Sequence, residues 1–256
     1  MMNKRLQNTS LAAVLLASTT LLSTNAFAYE ATLSGNAGVL SEYIFRGIVQ
    51  NDTASGNGGL DLEIGGFYAG TWIADVDDGV EYDLYAGYVH EFSNGFYLGA
   101  GGTSYQYSDS FDNEYNEANF YAGWSKDLWS IDLEYSTGEY NGDFVDDNAV
   151  IEGDEYDFLA ATVGWNGAYL TYGMFGDDAD DQLGEYFELG YGFEVAGFDV
   201  TGALVHTDLD NDPAGLTSDC GSIVSASCDG LGDGDETSAY VGVHRSFDIM
   251  KWGNGS

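Results

Sequence analysis

The chain has 256 residues, of which 43 are acidic and only six are basic, so its formal net charge at pH 7 is −37. This charge excludes nucleic acid as a partner, because the chain would repel the phosphate backbone. Aromatic residues make up 15% of the chain, and 36 residues are glycine. Disordered acidic chains lack aromatic residues at this level, so a folded protein is expected.

The first 28 residues have the features of a secretory signal peptide. Lys4 and Arg5 precede an apolar run over residues 11–22, and residues 26–28 form an A-x-A cleavage signature. The run is shorter than the ~20 residues that span a bilayer as a helix, which argues against an uncleaved anchor. We therefore expect cleavage after residue 28.

Twelve segments of the remaining chain are predicted to be β-strands. Apolar and polar residues alternate in most of them with a period of two, and the alternation is clean in residues 129–136 and 187–195. Residues 80–92 and 96–107 flank a Ser93-Asn94-Gly95 turn and are predicted to form a β-hairpin, although the two faces of residues 96–107 are less distinct. No later segment has ~18 consecutive apolar residues, so no transmembrane helix is expected. The predicted strands are residues 30–45, 58–64, 67–75, 80–92, 96–107, 117–126, 129–140, 155–165, 168–175, 184–195, 198–207 and 237–247.

The connections between these strands alternate between short and long. Most of the short ones contain glycine, which suits the positive φ angles of tight hairpin turns. The long ones hold most of the acidic residues and span residues 46–57, 76–79, 108–116, 141–154, 176–183 and 208–236. Short periplasmic turns and longer extracellular loops are typical of bacterial outer-membrane barrels.

We therefore predict an all-β fold, an antiparallel transmembrane β-barrel of about 12 strands over residues 29–247. Residues 248–256 are expected to form a short C-terminal tail. The alternative is a soluble secreted acidic β-sandwich, whose strands also alternate. Three features favour the barrel, namely the length of the strands, the regular alternation of short and long connections, and the scarcity of proline. Prolines protect the edges of open sheets, and this chain has only one.

Residues 41–88 resemble the TorF family of porins. The resemblance is carried by Ser41-Glu-Tyr-Ile-Phe-Arg-Gly47, Gly58-Gly-Leu-Asp-Leu62, Phe67-Tyr-Ala-Gly-Thr-Trp72 and Glu81-Tyr-Asp-Leu-Tyr-Ala-Gly-Tyr88. It implies an outer-membrane barrel with a pore.

Several charged residues share the polar face of their strands and are candidates to line the lumen. We expect Arg46, near the extracellular end of the first strand, to meet an acid across the pore. So few bases cannot pair with all the carboxylates, and a dry unpaired charge is very costly, so a water-filled lumen that attracts cations is favoured. The alternative is a plugged interior, in which the carboxylates bind tyrosine, serine or Arg245. The candidates are Glu81, Asp83, Asp132, Glu134, Glu188, Glu194, Arg46 and Arg245.

The acidic loops would repel lipopolysaccharide phosphates, so we expect Ca²⁺ or Mg²⁺ to collect there loosely. A defined metal site is not predicted. Asp208, Asp210 and Asp212 have the spacing of EF-hand ligands, but Pro213 stands where that loop needs glycine. Cys220 and Cys228 are predicted to form a local disulfide, because the chain is exported.

No catalytic group is evident. His90, His206 and His244 lie in separate predicted strands, and no serine motif accompanies any of them. The predicted function is passive diffusion of small hydrophilic solutes, preferably cations, through the bacterial outer membrane, where lipid and lipopolysaccharide surround the barrel. The alternative is a non-conducting barrel whose acidic loops bind divalent cations or mediate adhesion. No cofactor is expected.

Overall fold

In the computed structural model of the protein, twelve antiparallel strands close into a barrel, which confirms the predicted fold class. The structure describes residues 30–108, 114–140, 143–146, 149–152, 155–177, 184–208 and 235–253. The strands are β1 (Ala31–Leu40), β2 (Tyr43–Phe45), β3 (Ile48–Asn51), β4 (Ser55–Ile64), β5 (Phe67–Val76), β6 (Gly79–Glu91), β7 (Phe96–Tyr107), β8 (Tyr115–Lys126), β9 (Trp129–Tyr140), β10 (Asp143–Asp146), β11 (Ala149–Glu152), β12 (Glu155–Trp165), β13 (Ala168–Asp177), β14 (Glu185–Val195), β15 (Phe198–Asp208) and β16 (Asp235–Trp252).

The barrel follows the chain order and is closed by β1, which pairs with β4 on one side and with β16 on the other. β2 and β3 form one separate two-stranded sheet, and β10 and β11 form a second. All five predicted short turns lie at one end, which we call the short-turn end; the other is the long-loop end. Asn166 and Gly167 both have positive φ, 49° and 91°, which suits a type I′ turn.

The outer face of the barrel is apolar. In β14 the exposed side chains are those of Phe187, Leu189, Tyr191, Phe193 and Val195, and the intervening residues face inward. Large apolar side chains that stay exposed on every barrel strand would aggregate in water. They are the expected outer surface of a barrel whose strands cross a lipid bilayer.

No helix among the described residues is long and apolar enough to cross a membrane.

The structure differs from the sequence prediction in the segment after β1. Residues 30–45 were expected to form one strand, followed by a loop over residues 46–57. Instead β1 ends at Leu40, and the chain forms the hairpin β2–β3 before β4 begins at Ser55. We call this hairpin, residues 43–51, the inner hairpin, because it lies inside the barrel.

Two other segments also contain more β-strand residues than the sequence predicts. β16 continues to Trp252, which pairs with Ala31, so residues 248–252 belong to the barrel and not to a C-terminal tail. The long connection over residues 141–154 contains the antiparallel strand pair β10 and β11. In both places acidic residues interrupt the apolar pattern on which the prediction depended.

The apolar outer face predicts that a charge placed on it lowers the free energy of unfolding by an amount that depends on its depth in the bilayer. Leu189→Arg, near the middle of β14, should lower the free energy of unfolding by about 2–4 kcal/mol in phospholipid vesicles, because the guanidinium would face lipid at the bilayer midplane. The matched control is Leu128→Arg in the β8–β9 turn, where the leucine has the same exposed fraction, 57%. Near the interface the cost should be about 0–1 kcal/mol. Equal costs, measured by denaturant titration, would contradict a lipid-facing β14.

Candidate functional site

The inner hairpin crosses the lumen from one wall to the opposite one. Its turn is Arg46-Gly47, flanked by the pair Phe45 and Ile48, and both turn residues have positive φ, 49° and 83°. The hairpin leaves the wall at β1 and its tip reaches β9, which is six strands from β1 in either direction around the barrel. A short stretch of chain therefore spans the whole width of the lumen.

Arg46 is fixed at the tip of the hairpin by two carboxylates. Its Nη1 and Nη2 donate to Oε1 and Oε2 of Glu117 in β8, at 2.5 and 3.0 Å, and Nη2 also donates to Oε1 of Glu134 in β9, at 2.8 Å. The side chains of Arg46 and Glu117 are 3% and 0% exposed. Such a bidentate, charge-assisted pair is stronger than a neutral hydrogen bond, and removing one partner would leave a buried charge without compensation.

The guanidinium also has an aromatic face and a hydroxyl beside it. Its Cζ lies 4.0 Å from the ring centroid of Phe158 in β12, a cation–π distance. Nη2 donates to Ser136 Oγ in β9 at 3.2 Å. We call Glu117, Glu134, Ser136 and Phe158 the guanidinium site. Its members come from three strands of the wall, and Arg46 comes from the hairpin.

The rest of the inner hairpin packs against other parts of the wall. Thr207 Oγ1 donates to the carbonyl oxygen of Gly47 at 2.7 Å. Tyr43 meets Trp72 edge to face, with ring centroids 5.7 Å apart. Glycine is required at position 47, because a Cβ there would lie 2.7 Å from Cβ of Tyr186 and φ is positive.

Around the hairpin, the long-loop half of the lumen is packed as a core. Apolar and aromatic side chains from the wall surround the hairpin, and several are fully buried. The buried members of this cluster are Leu40, Tyr43, Ile44, Ala74, Val76, Tyr105, Tyr115, Tyr156, Phe158, Ala160, Phe175, Tyr186, Ala203, Val205 and Tyr240. This half of the barrel is therefore filled in the structure.

The short-turn half has a different lining, in which tyrosine rings lie flat on the wall. Tyr85 packs over Gly70 of the neighbouring strand, where a Cβ would be 2.5 Å from the ring, and its hydroxyl donates to Asp61 Oδ1 at 2.5 Å. Tyr97 packs over Gly123 in the same way and donates to Asp132 Oδ1 at 2.8 Å. Each ring thus covers a glycine and orients a carboxylate on the inner wall.

All six acids predicted to line the lumen lie on the inward face of their strands. Glu81, Asp83 and Glu188 are buried in the long-loop half. Asp132 and Glu134 are half-buried in β9, and Glu194 is exposed near the short-turn end.

Arg46 meets acids across the lumen, as expected, although it does so from a hairpin and not from a strand. Arg245 is different, because it lies on the outer face. It shares the orientation of Val243 and Phe247, and its Cζ is 5.2 Å from the ring centroid of Phe198. The alternation in β16 places a base among the apolar residues that meet the membrane interface. Arg245 therefore does not line the lumen.

Glu117, Ser136, Phe158 and Asp61 are not among the lumen residues that the sequence predicts. Glu117 is the first residue of its predicted strand, although Asn119 and Tyr121 share its parity. Asp61 lies in a strand that the sequence predicts to be short. The carboxylates of Glu117 and Asp61 face the lumen and accept hydrogen bonds from tyrosine hydroxyls.

Several predicted residues lie outside the described ones, namely Cys220, Cys228, Asp210 and Asp212. Asp208 ends β15. Among the described residues, no group of three or more histidine, cysteine or acidic side chains is arranged to hold a metal ion.

A closed twelve-stranded barrel with an apolar outer face and a polar inner wall defines an outer-membrane β-barrel protein, and places the chain in the bacterial outer membrane. The chain belongs to the family described as "Bacterial protein of unknown function (Gcw_chp)", whose model matches residues 25–212. The relation to TorF-family porins stays a prediction. No curated protein matches the sequence.

Solved structures of outer-membrane channels are similar to this chain in fold. The KdgM porin gives a TM-score of 0.51 at 12% identity, over 84% of this chain and 99% of that chain. The KdgM porin in complex with disordered oligogalacturonate gives 0.50 at 12% identity, with the same coverage. An outer membrane channel from Pseudomonas putida F1 gives 0.47 at 13% identity, over 88% and 97%. At these identities the similarity shows the barrel fold and nothing finer.

The packing of tyrosine on glycine predicts an energetic coupling between Gly70 and Tyr85. Gly70→Ala should lower the free energy of unfolding by about 1–3 kcal/mol, because the new methyl group collides with the Tyr85 ring. Adding Tyr85→Ala should remove most of that penalty, so the double-mutant cycle should give a coupling of about 1 kcal/mol or more.

Gly56→Ala is the control for this cycle, because a Cβ at Gly56 meets nothing within 4 Å. It should change the free energy of unfolding by less than about 0.5 kcal/mol. Additive effects of the Gly70 and Tyr85 substitutions would show that the ring does not rest on the glycine.

Proposed function

We propose that the protein is a diffusion channel of the outer membrane for small hydrophilic solutes, that it prefers cations, and that the inner hairpin narrows its conducting path. One observation carries the proposal, namely the acidic inner wall of the short-turn half. Asp61 and Asp132 are held there by tyrosine hydroxyls, and Glu194 lies at the opening. A ring of carboxylates around a water-filled path attracts cations and repels anions.

Basic residues do not offset this charge. Arg46 is the only buried lysine or arginine among the described residues, and two carboxylates already contact it. Lys126 and Lys251 are exposed at the ends of their strands, and Arg245 is on the outer face. The field along the inner wall is therefore negative, and field lines focused between low-dielectric walls concentrate cations.

The solute class of the KdgM porin does not transfer to this chain. That porin has been solved with oligogalacturonate, a chain of sugar acids with many negative charges. The carboxylates of the inner wall would repel such a polyanion, so we propose small neutral or cationic solutes instead.

A second candidate function is a non-conducting barrel. The observation that favours it is the filled long-loop half, where the inner hairpin and the aromatic cluster occupy the lumen. The two candidates differ in whether ions cross the barrel, and conductance separates them.

The acidic wall predicts the ion selectivity. In a planar bilayer under a KCl gradient, the reversal potential of the protein should have the sign of a cation-selective channel. Asp61→Asn with Asp132→Asn should lower the K⁺ to Cl⁻ permeability ratio by about two- to tenfold, because a unit charge at about 4 Å in water contributes about 1 kcal/mol. The control is Asp157→Asn, since that carboxylate accepts from Tyr135 on the outer face. An equal change in the control would remove Asp61 and Asp132 from the conducting path.

The position of the inner hairpin predicts its effect on conductance. Replacing residues 43–51 by a glycine-serine segment of equal length should raise the unit conductance several-fold, because the packed half of the lumen loses its central element. A control replaces residues 143–152, which include the other small sheet of β10 and β11, and should leave the conductance close to that of the wild type. A barrel that stays silent after the first replacement would instead support the non-conducting function.

A further inference from the structure

We propose that the guanidinium site is a binding site for solutes that carry a guanidinium group, and that Arg46 occupies it as a built-in substitute for such a solute. The role of the site in transport rests on the proposed channel function, whereas binding to the site does not.

The site has the chemistry that recognises a planar cation. Glu117 presents both carboxylate oxygens in parallel to the two Nη atoms, at 2.5 and 3.0 Å. Glu134 adds a second carboxylate at 2.8 Å, and the Phe158 ring covers one face with its centroid 4.0 Å from Cζ. A guanidinium can donate to both oxygens of Glu117 and lie flat on the Phe158 ring at the same time. An ammonium is a compact point charge that cannot match this bidentate geometry.

The carboxylates of the site are held by the wall and not by the hairpin. Glu117 accepts hydrogen bonds from the hydroxyl of Tyr156 at 2.5 Å and from Nδ2 of Asn119 at 2.9 Å. Ser136 Oγ donates to Glu134 Oε1 at 3.1 Å and accepts from Asn119 Nδ2 at 3.0 Å. All these residues belong to barrel strands, so the site keeps its shape when Arg46 is absent. Two adjacent carboxylates that have lost their only buried cation would then bind another cation strongly.

The present occupant belongs to an element that is not part of the barrel sheet. The strands of the inner hairpin form a two-stranded sheet of their own, with three residue pairs, and the chain connects them to β1 and β4. Two backbone carbonyls of the hairpin accept from the wall, Gln50 O from Asp77 N at 3.1 Å and Gly47 O from Thr207 Oγ1 at 2.7 Å. A solute that enters from the short-turn end reaches Glu134 first, whose side chain is 13% exposed, and then Glu117, which is fully buried. Arg46 and such a solute compete for the same oxygens, so binding of one displaces the other by mass action.

The test uses Arg46→Ala in the full barrel, folded in detergent, with methylguanidinium as the probe. Isothermal titration should show that this variant binds methylguanidinium at least about tenfold more tightly than the wild type, in which Arg46 fills the site. Methylammonium and urea are the matched probes. Methylammonium has the charge but lacks the pair of parallel N–H donors, and urea has a similar planar shape but no charge. Both should therefore bind more weakly than methylguanidinium.

A second variant tests the carboxylate. Glu117→Gln in the Arg46→Ala background should reduce methylguanidinium binding by at least about tenfold, because the bidentate acceptor loses its charge. Equal binding of methylguanidinium and methylammonium by Arg46→Ala would overturn the proposal, and so would binding that is unchanged by Glu117→Gln.

Should Arg46→Ala fail to fold, the refolding yield replaces the titration as the readout. Methylguanidinium in the refolding buffer should restore folding, and methylammonium at equal ionic strength should not; equal yields with both would overturn the proposal. The binding assay needs no conductance. Selective binding by a silent barrel would therefore contradict the channel function alone, and a conducting barrel without selective binding would contradict the guanidinium site alone.

Discussion

The buried ion pair between Arg46 and Glu117 decides how the lumen is filled. Each partner is almost fully removed from water, so breaking the pair would leave a buried charge without compensation. Water or another ion would have to replace the lost partner. Arg46 lies in the turn of the inner hairpin, which leaves the wall at β1. The ion pair therefore connects this hairpin to strands on the opposite side of the barrel. In the proposed binding site, the position of the inner hairpin and the occupancy of the site by a cation form one equilibrium, and a change in either requires a change in the other.

Part of the unusual composition of the chain follows from the inner wall. A tyrosine that lies flat needs a glycine beneath it, and a carboxylate facing the lumen needs a donor such as a tyrosine hydroxyl. Tyr97 meets both needs, because it covers Gly123 and donates to Asp132. The same arrangement recurs where Tyr85 covers Gly70 and donates to Asp61, and where Tyr169 covers Gly190 and donates to Glu188. It keeps bulky rings out of the middle of the short-turn half and leaves negative charge on its surface.

Local patterns were sufficient to predict the wall but not its contents. The alternation of Phe187, Leu189 and Tyr191 with polar or small residues gave the correct lipid face, because burial on one side of a strand repeats every two residues. In Tyr43-Ile44-Phe45 three apolar residues follow one another, and an Arg-Gly turn comes next. A strand between lipid and water would not have that pattern, so this stretch held a signal for the inner hairpin. The partner of Arg46 had no local signal, since Glu117 lies 71 positions away.

The charges of the lumen are ordered along the barrel axis. Asp61 and Asp132 lie toward the short-turn end, Glu134 is near the middle of β9, and Glu117 lies deeper in the packed half. In the proposed channel, the carboxylates that attract a cation into the barrel therefore lead to the two that hold Arg46. In that proposal a cation moves along this series and replaces the guanidinium, whereas an anion is repelled at the first carboxylate. The proposed selectivity and the proposed displacement of the hairpin thus depend on the same charges, and a neutral lumen would support neither.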